Sequence, residues 1–201
     1  MSRSRLLAVC SIAALFLLLS AAWAQQPQTA PAADTLKIDY FSNANTSGAP
    51  DGTLRITNPG TSGGNLCANI YVFDPNEEMS ECCSCLTTPD GLLTLSINND
   101  ITGNPLTGVT LSTGVIKIVS SLPHSGTCPL PVNMTPTAAL RSWVTHIQNS
   151  NFTITEDSSS DATLSSSEQN ALQSQCNSIK KVGSGKGVCA NSPALAAICN
   201  T

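Results

Sequence analysis

The stretch Leu66-Cys67-Ala68-Asn69-Ile70-Tyr71-Val72-Phe73 decides the architecture. Leu66, Ala68, Ile70 and Val72 recur with a period of two, which puts them on one face of a strand. Cys67, Asn69, Tyr71 and Phe73 occupy the other face and are mostly bulky or apolar, so that face needs a cover as well. A strand clothed on both sides belongs inside a layered fold.

Further strands lie to either side of it. Leu36, Ile38 and Tyr40 alternate with Lys37 and Asp39, and Leu54 and Ile56 alternate with Thr53, Arg55 and Thr57. Leu93, Leu95 and Ile97 alternate with Thr94 and Ser96. Ile116 and Ile118 flank Lys117, while Val115 and Val119 make that strand apolar on both faces. Turn-formers separate the runs at Gly48 to Gly52, Asn58-Pro59-Gly60, Asp74-Pro75-Asn76, Pro89-Asp90-Gly91 and Asn98 to Pro105. No stretch before residue 123 repeats at 3.6. Residues 35–122 are therefore expected to form an antiparallel β domain of five or more strands, a β-sandwich or partial barrel.

The remainder, 123–201, reads as a helical, disulfide-linked region with two or three helices. Pro123 to Pro136 is proline-rich, and Thr135-Pro136 supplies an N-cap and a first-turn proline. Leu140, Trp143, Val144 and Ile147 follow at helical spacing, which predicts a helix with His146 on its solvated side. A short strand is expected at Phe152 to Thr155 and a polar run at Glu156 to Asp161. Ser165 and Glu168 form a capping box for a second helix, whose buried stripe is Leu172, Cys176 and Ile179 and whose stop is Gly183. Ser192-Pro193 opens a last short turn ending at Cys199. The whole is mainly β with a small α part.

The N-terminus reads as an export signal, residues 1–24. Arg3 and Arg5 precede an apolar run, Leu6 to Leu19, and Ala22-Trp23-Ala24 offers small residues where a signal peptidase cuts. The run with its flank approaches the roughly 20 residues that cross a bilayer, but the small residues favour cleavage before Gln25. Cys10 precedes most of the apolar run, whereas a lipidated cysteine follows it. Residues 25–34, rich in Gln, Pro and Ala, read as a flexible leader. No transmembrane segment is expected after cleavage.

Of nine cysteines, Cys10 leaves with the signal. Cys67, Cys82, Cys83, Cys85, Cys128, Cys176, Cys189 and Cys199 stay, an even count that reads as a disulfide framework in an oxidising compartment. Cys82, Cys83 and Cys85 are too close together to bridge one another at relaxed geometry. At least one of them is therefore expected to reach Cys128 or beyond. Parity within the first half calls for an even number of such crossings, taken as two. Zinc binding would need two separated cysteine pairs, and redox catalysis a C-x-x-C pair at a helix N-terminus. The chain has no second cysteine pair at that spacing and no C-x-x-C at a helix N-terminus.

Composition narrows the remaining functions. Charged residues are 11% of the chain, against about 25% in typical domains. Arg3 and Arg5 account for two of the nine basic side chains, against thirteen acidic ones. No basic patch for nucleic acid follows, and Tyr40, Phe41, Tyr71, Phe73, Trp143 and Phe152 are too few for a stacking platform or a sugar-binding cleft. Gly60-Thr61-Ser62-Gly63-Gly64 matches G-x-S-x-G, but the residues after it read as a strand where a hydrolase needs a helix. Gly183-Ser184-Gly185-Lys186-Gly187 follows a helix, whereas a phosphate loop precedes one. His124 lies in a proline-flanked loop beside Ser125. Asp74, Glu77, Glu78 and Glu81, and likewise Glu156, Asp157 and Asp161, read as acidic loops without EF-hand spacing. No catalytic, cofactor or metal site is expected.

The run NPGTSGGNLCANIYVFDPNEEMSECCSCLTTPDGLLTLSINND, with NPLTGV after it and VGSGKGVC near the end, resembles a family of exported proteins of soil bacteria, acidobacteria in particular. The resemblance covers about Thr53 to Cys189 and carries no activity across. It implies a bacterial envelope origin, and hence that Asn45, Asn133 and Asn151 stay unglycosylated despite their sequons. The expected function is a non-enzymatic structural or interaction module of the envelope or surface. A secreted serine hydrolase using Ser62 and a calcium-stabilised binding module are the alternatives.

Overall fold

A computed structural model of the chain describes residues 34–102, 110–128, 134–182 and 199–200. The expected export signal, most of the expected leader, Cys189, and the helix stop and last turn expected at Gly183 and Ser192-Pro193 lie outside those residues.

Among the described residues, eleven strands and one α-helix follow in order: β1 (Leu36–Phe41), β2 (Thr53–Thr57), β3 (Leu66–Phe73), β4 (Met79–Thr87), β5 (Leu92–Ser96), β6 (Gly114–Leu122), β7 (Thr135–Pro136), β8 (Arg141–Gln148), β9 (Thr153–Ser158), β10 (Ser160–Ala162), α1 (Ser166–Val182) and β11 (Cys199–Asn200). One sheet has the order β10-β1-β6-β3-β4-β11, with β7 also on β6, and the other has the order β5-β2-β8-β9. Every pairing is antiparallel.

The two sheets enclose the main core. Leu66, Ala68, Ile70 and Val72 of β3, with Ile116 and Ile118 of β6, meet Leu54 and Ile56 of β2, Leu95 of β5 and Val144 of β8. Tyr71 of β3 and Val119 of β6 point the other way, into a second apolar cluster with Leu164, Leu172 and Cys176. The helix α1 thus covers the outer face of the first sheet. This explains why β3 and β6 are apolar on both faces: each is the middle layer of three. Gly114 opens β6 because a Cβ there would lie 2.4 Å from the Phe73 carbonyl oxygen and 2.8 Å from the Phe41 ring.

Four sequence expectations are corrected. The helix predicted from Leu140, Trp143, Val144 and Ile147 is strand β8, paired with β2 and β9. Its residues, RSWVTHIQ, are largely β-branched or aromatic, and Leu140 and Val144, four apart, share a face in strand and helix alike. Thr135-Pro136 is not a helix start but strand β7, opposite Ser121 and Leu122. Residue 122 is also no boundary, since β8, β9 and β10 come from beyond it and complete both sheets. Before it, Met79–Thr87 forms a strand that the cysteine run had concealed. Asn98 to Pro105, expected as a turn, begins in a π-helical turn, Ile97–Ile101, capped by the Ser96 hydroxyl.

Candidate functional site

Three features carry chemistry: the disulfides, a charged seam where the sheets meet, and a groove beneath α1.

The cysteines are placed by the pleat of β4. Cys82 lies opposite Tyr71 and faces the helix, while Cys83 and Cys85, opposite Ile70 and Ala68, face between the sheets. Cys82 bonds to Cys176 of α1, Cys85 to Cys199 of β11, and Cys67 to Cys128. Cys83 is disulfide-bonded too. Among the described residues, three bridges therefore cross residue 122, where two were expected. Cys67 shares its face of the β3–β4 pair only with Cys82, four residues along, roughly 13 Å at strand rise. It must bond outside the cluster. With all seven described cysteines bonded, the protein belongs to an oxidising environment.

The seam lies where β9 of one sheet turns into β10 of the other. At the corner, the Ser159 hydroxyl donates to Asp39 Oδ2 at 2.7 Å, and Asp39 Oδ1 lies 3.2 Å from His146 Nε2. His146 is 3% exposed, which corrects its expected place on a solvated helix face. Its ring stacks at a tilt on Tyr40, centroids 4.2 Å apart. A serine, a histidine and an aspartate converge here, but the carboxylate stands in the middle and accepts the hydrogen bond of the serine hydroxyl. A nucleophilic triad needs the histidine there, and His146 Nδ1 is buried with no partner. The trio joins the sheets and does not activate Ser159.

Farther along the seam, Lys37 is 2% exposed and its Nζ lies 2.5 Å from Asp161 Oδ1. Lys37 also contacts the Asp34 carboxylate and donates to the Asp34 carbonyl oxygen at 3.3 Å. Arg141 Nη1 donates to both Asp34 carboxylate oxygens, at 2.7 and 2.6 Å. Burial lowers the Lys37 ammonium below its ordinary value against the opposing pull of Asp161, with Arg141 lowering it further. None of this network was read from the sequence. By sequence Asp161 reads as part of an acidic loop, and Lys37 as the polar face of a strand.

The groove, about 290 Å³, runs between α1 and the outer face of the first sheet. Phe73, Val115 and Leu172 line it with Asp74, Glu77 and Lys117. Lys117 Nζ sits 5.1 Å from the Phe73 ring centroid and 2.6 Å from Glu168 Oε1, so its charge is spoken for.

The other sequence candidates disperse. Ser62 is exposed in the loop between β2 and β3 and donates to the Gly64 carbonyl at 3.3 Å. That loop is held by buried Asn58, whose Nδ2 donates to the Gly64 and Thr87 carbonyls. His124 closes a tight turn onto Thr127. Asp74 accepts the backbone N–H groups of Asn76 and Glu78, as a turn residue does. Glu81 does not join it in an acidic loop: it is buried on β4, and neither carboxyl oxygen has a partner. Glu156 and Asp157 are on β9 and Asp161 on β10, so the second acidic run is strand as well. Among the described residues no three His, Cys, Asp or Glu side chains gather to hold a metal, and no helix is long and apolar enough to cross a membrane.

Fold and site together define a disulfide-linked, two-sheet β fold with one helix packed on its outer face. No protein-family model, curated protein or solved structure matches the chain.

Proposed function

We propose that the protein is an exported, non-enzymatic structural or interaction module of the bacterial cell envelope or surface. The observation that carries this reading is the disulfide framework. Its bonded cysteines are buried, whereas exchange-active cysteines are accessible and stand beside groups that lower their pKa. Bridges from the core to the last elements serve to hold the fold in an oxidising compartment. The resemblance to exported acidobacterial proteins points to the same place. The groove under α1, apolar with acidic side chains at Asp74 and Glu77, supports the interaction half of the reading.

The test is to express the full chain in a bacterium, fractionate the cells, and sequence the N-terminus of the recovered protein. A mature chain starting at Gln25, outside the cytoplasm, with no thiol alkylated before reduction, is the expected result. Recovery in the cytoplasm with free thiols rejects it. A fluorophosphonate probe checks the hydrolase alternative: stoichiometric labelling lost in Ser62→Ala would establish an enzyme instead. A melting temperature that moves with calcium and returns with chelator would establish the calcium-stabilised module.

A further inference from the structure

We propose that Lys37 and Asp161 condense to an intramolecular isopeptide bond that ties β1 to β10, with Asp34 as the proton relay. Lys37 and Asp161 are register partners on neighbouring antiparallel strands. Cross-strand partners have adjacent side chains, and here the amine sits 2.5 Å from a carboxyl oxygen. The carboxyl carbon is one bond farther, within the roughly 3–3.5 Å that reacting atoms occupy. Holding the two groups there replaces an encounter by a unimolecular step.

Three conditions favour reaction over an ordinary ion pair. The amine is buried, which disfavours its charged form. The carboxyl of Asp161 is 55% exposed, so a released water has a way out. A second carboxylate, Asp34, touches the amine and is held in place by the two bonds from Arg141.

The step balances without any co-reactant. The Lys37 ammonium passes a proton through Asp34 to the Asp161 carboxylate, leaving a neutral amine and a carboxylic acid. Nζ adds to Cγ, a second amine proton travels through Asp34 to the departing hydroxyl, and the Cγ–O bond breaks. Water leaves, and an Nζ–Cγ amide remains. One positive and one negative charge vanish together, so the Asp34–Arg141 pair keeps its balance. Losing the charge of the buried Lys37 amine also removes the desolvation cost that burdens it.

The readout is the intact mass of the mature wild-type protein, reduced and fully alkylated, with its N-terminal residue assigned from the same digest. The expected mass is one water, about 18 Da, below that of the linear chain. Trypsin then fails to cut after Lys37, and a branched peptide carries residues 37 and 161. Lys37→Arg and Asp161→Ala should show the full mass. Asp34→Asn, which keeps both reacting groups, should leave most of the chain uncoupled. A wild-type protein of full mass that trypsin cuts after Lys37 overturns the proposal, and this does not depend on any variant folding. A deficit that persists in Lys37→Arg belongs to another residue and overturns it equally. Complete coupling in Asp34→Asn removes Asp34 from the mechanism.

Discussion

Glu81 is the side chain whose position departs most from its chemistry. It lies opposite Val72 on β4, 1% exposed, with both carboxyl oxygens unpartnered. Burial pushes its pKa up to about 9, because a charged carboxylate in the core has lost its water. The folded protein therefore keeps a proton that the unfolded chain releases above its ordinary pKa of 4.5. Stability must fall as pH rises from there towards 9, by about 1.4 kcal/mol per pH unit from this group. In urea titrations at pH 5 and pH 8, Glu81→Met should lose less stability between the two pH values than wild type. Equal losses would show that the carboxyl is solvated. Asp39 offers a second check, since Asp39→Ala strips both His146 and Ser159 of their partner. That should cost about 1–3 kcal/mol at neutral pH, read as a lower urea midpoint. Neither role was legible in the sequence. Glu81 follows three acids of a turn, and the register shift between Val72 and Phe73 that helps set its side is not a local signal.

Elements differ in how much of their fate is local. Helix α1 was readable because its start and its stripe lie within one segment. The Ser165 hydroxyl accepts the Glu168 N–H at 3.1 Å, as a capping residue should. Glu168 itself turns to Lys117 instead of closing the box. Ser165→Ala should therefore cost about 1 kcal/mol, seen as faster amide exchange in the first turn of α1 with β3 protection unchanged. Leu172→Ala opens a hole under the same helix and should cost about 2–5 kcal/mol in the same urea titration. Strand β8 is the opposite case. Leu140, Val144 and Ile147 have helical spacing, but β2 lacks a neighbour between itself and β9 unless 141–148 is extended. Strand pairing there overrides a pattern that local spacing leaves ambiguous.

The three-layer arrangement depends on bridges spanning 61, 94 and 114 residues. Replacing Cys82 and Cys176 together by serine frees α1 from β4 and should cost about 2–4 kcal/mol. The variant should keep its strand signal in circular dichroism while the helix gains exposed apolar surface that binds a hydrophobic dye. Loss of both signals at once would mean that sheets and helix fold only as a unit.

The alternation in β1, β2, β3, β5 and β6, and the cap and stripe of α1, were set by residue order alone. Backbone geometry dictates which way successive side chains point. The even cysteine count likewise announced a cross-linked fold before any pairing was known. Tertiary structure decided the rest: the faces taken by Cys82 and Cys83, the extended form of 141–148, the burial of His146 and Glu81, and the meeting of Lys37 with Asp161. Each of these depends on which strand lies alongside, and strands paired across more than a hundred residues are chosen by the packing of the whole core.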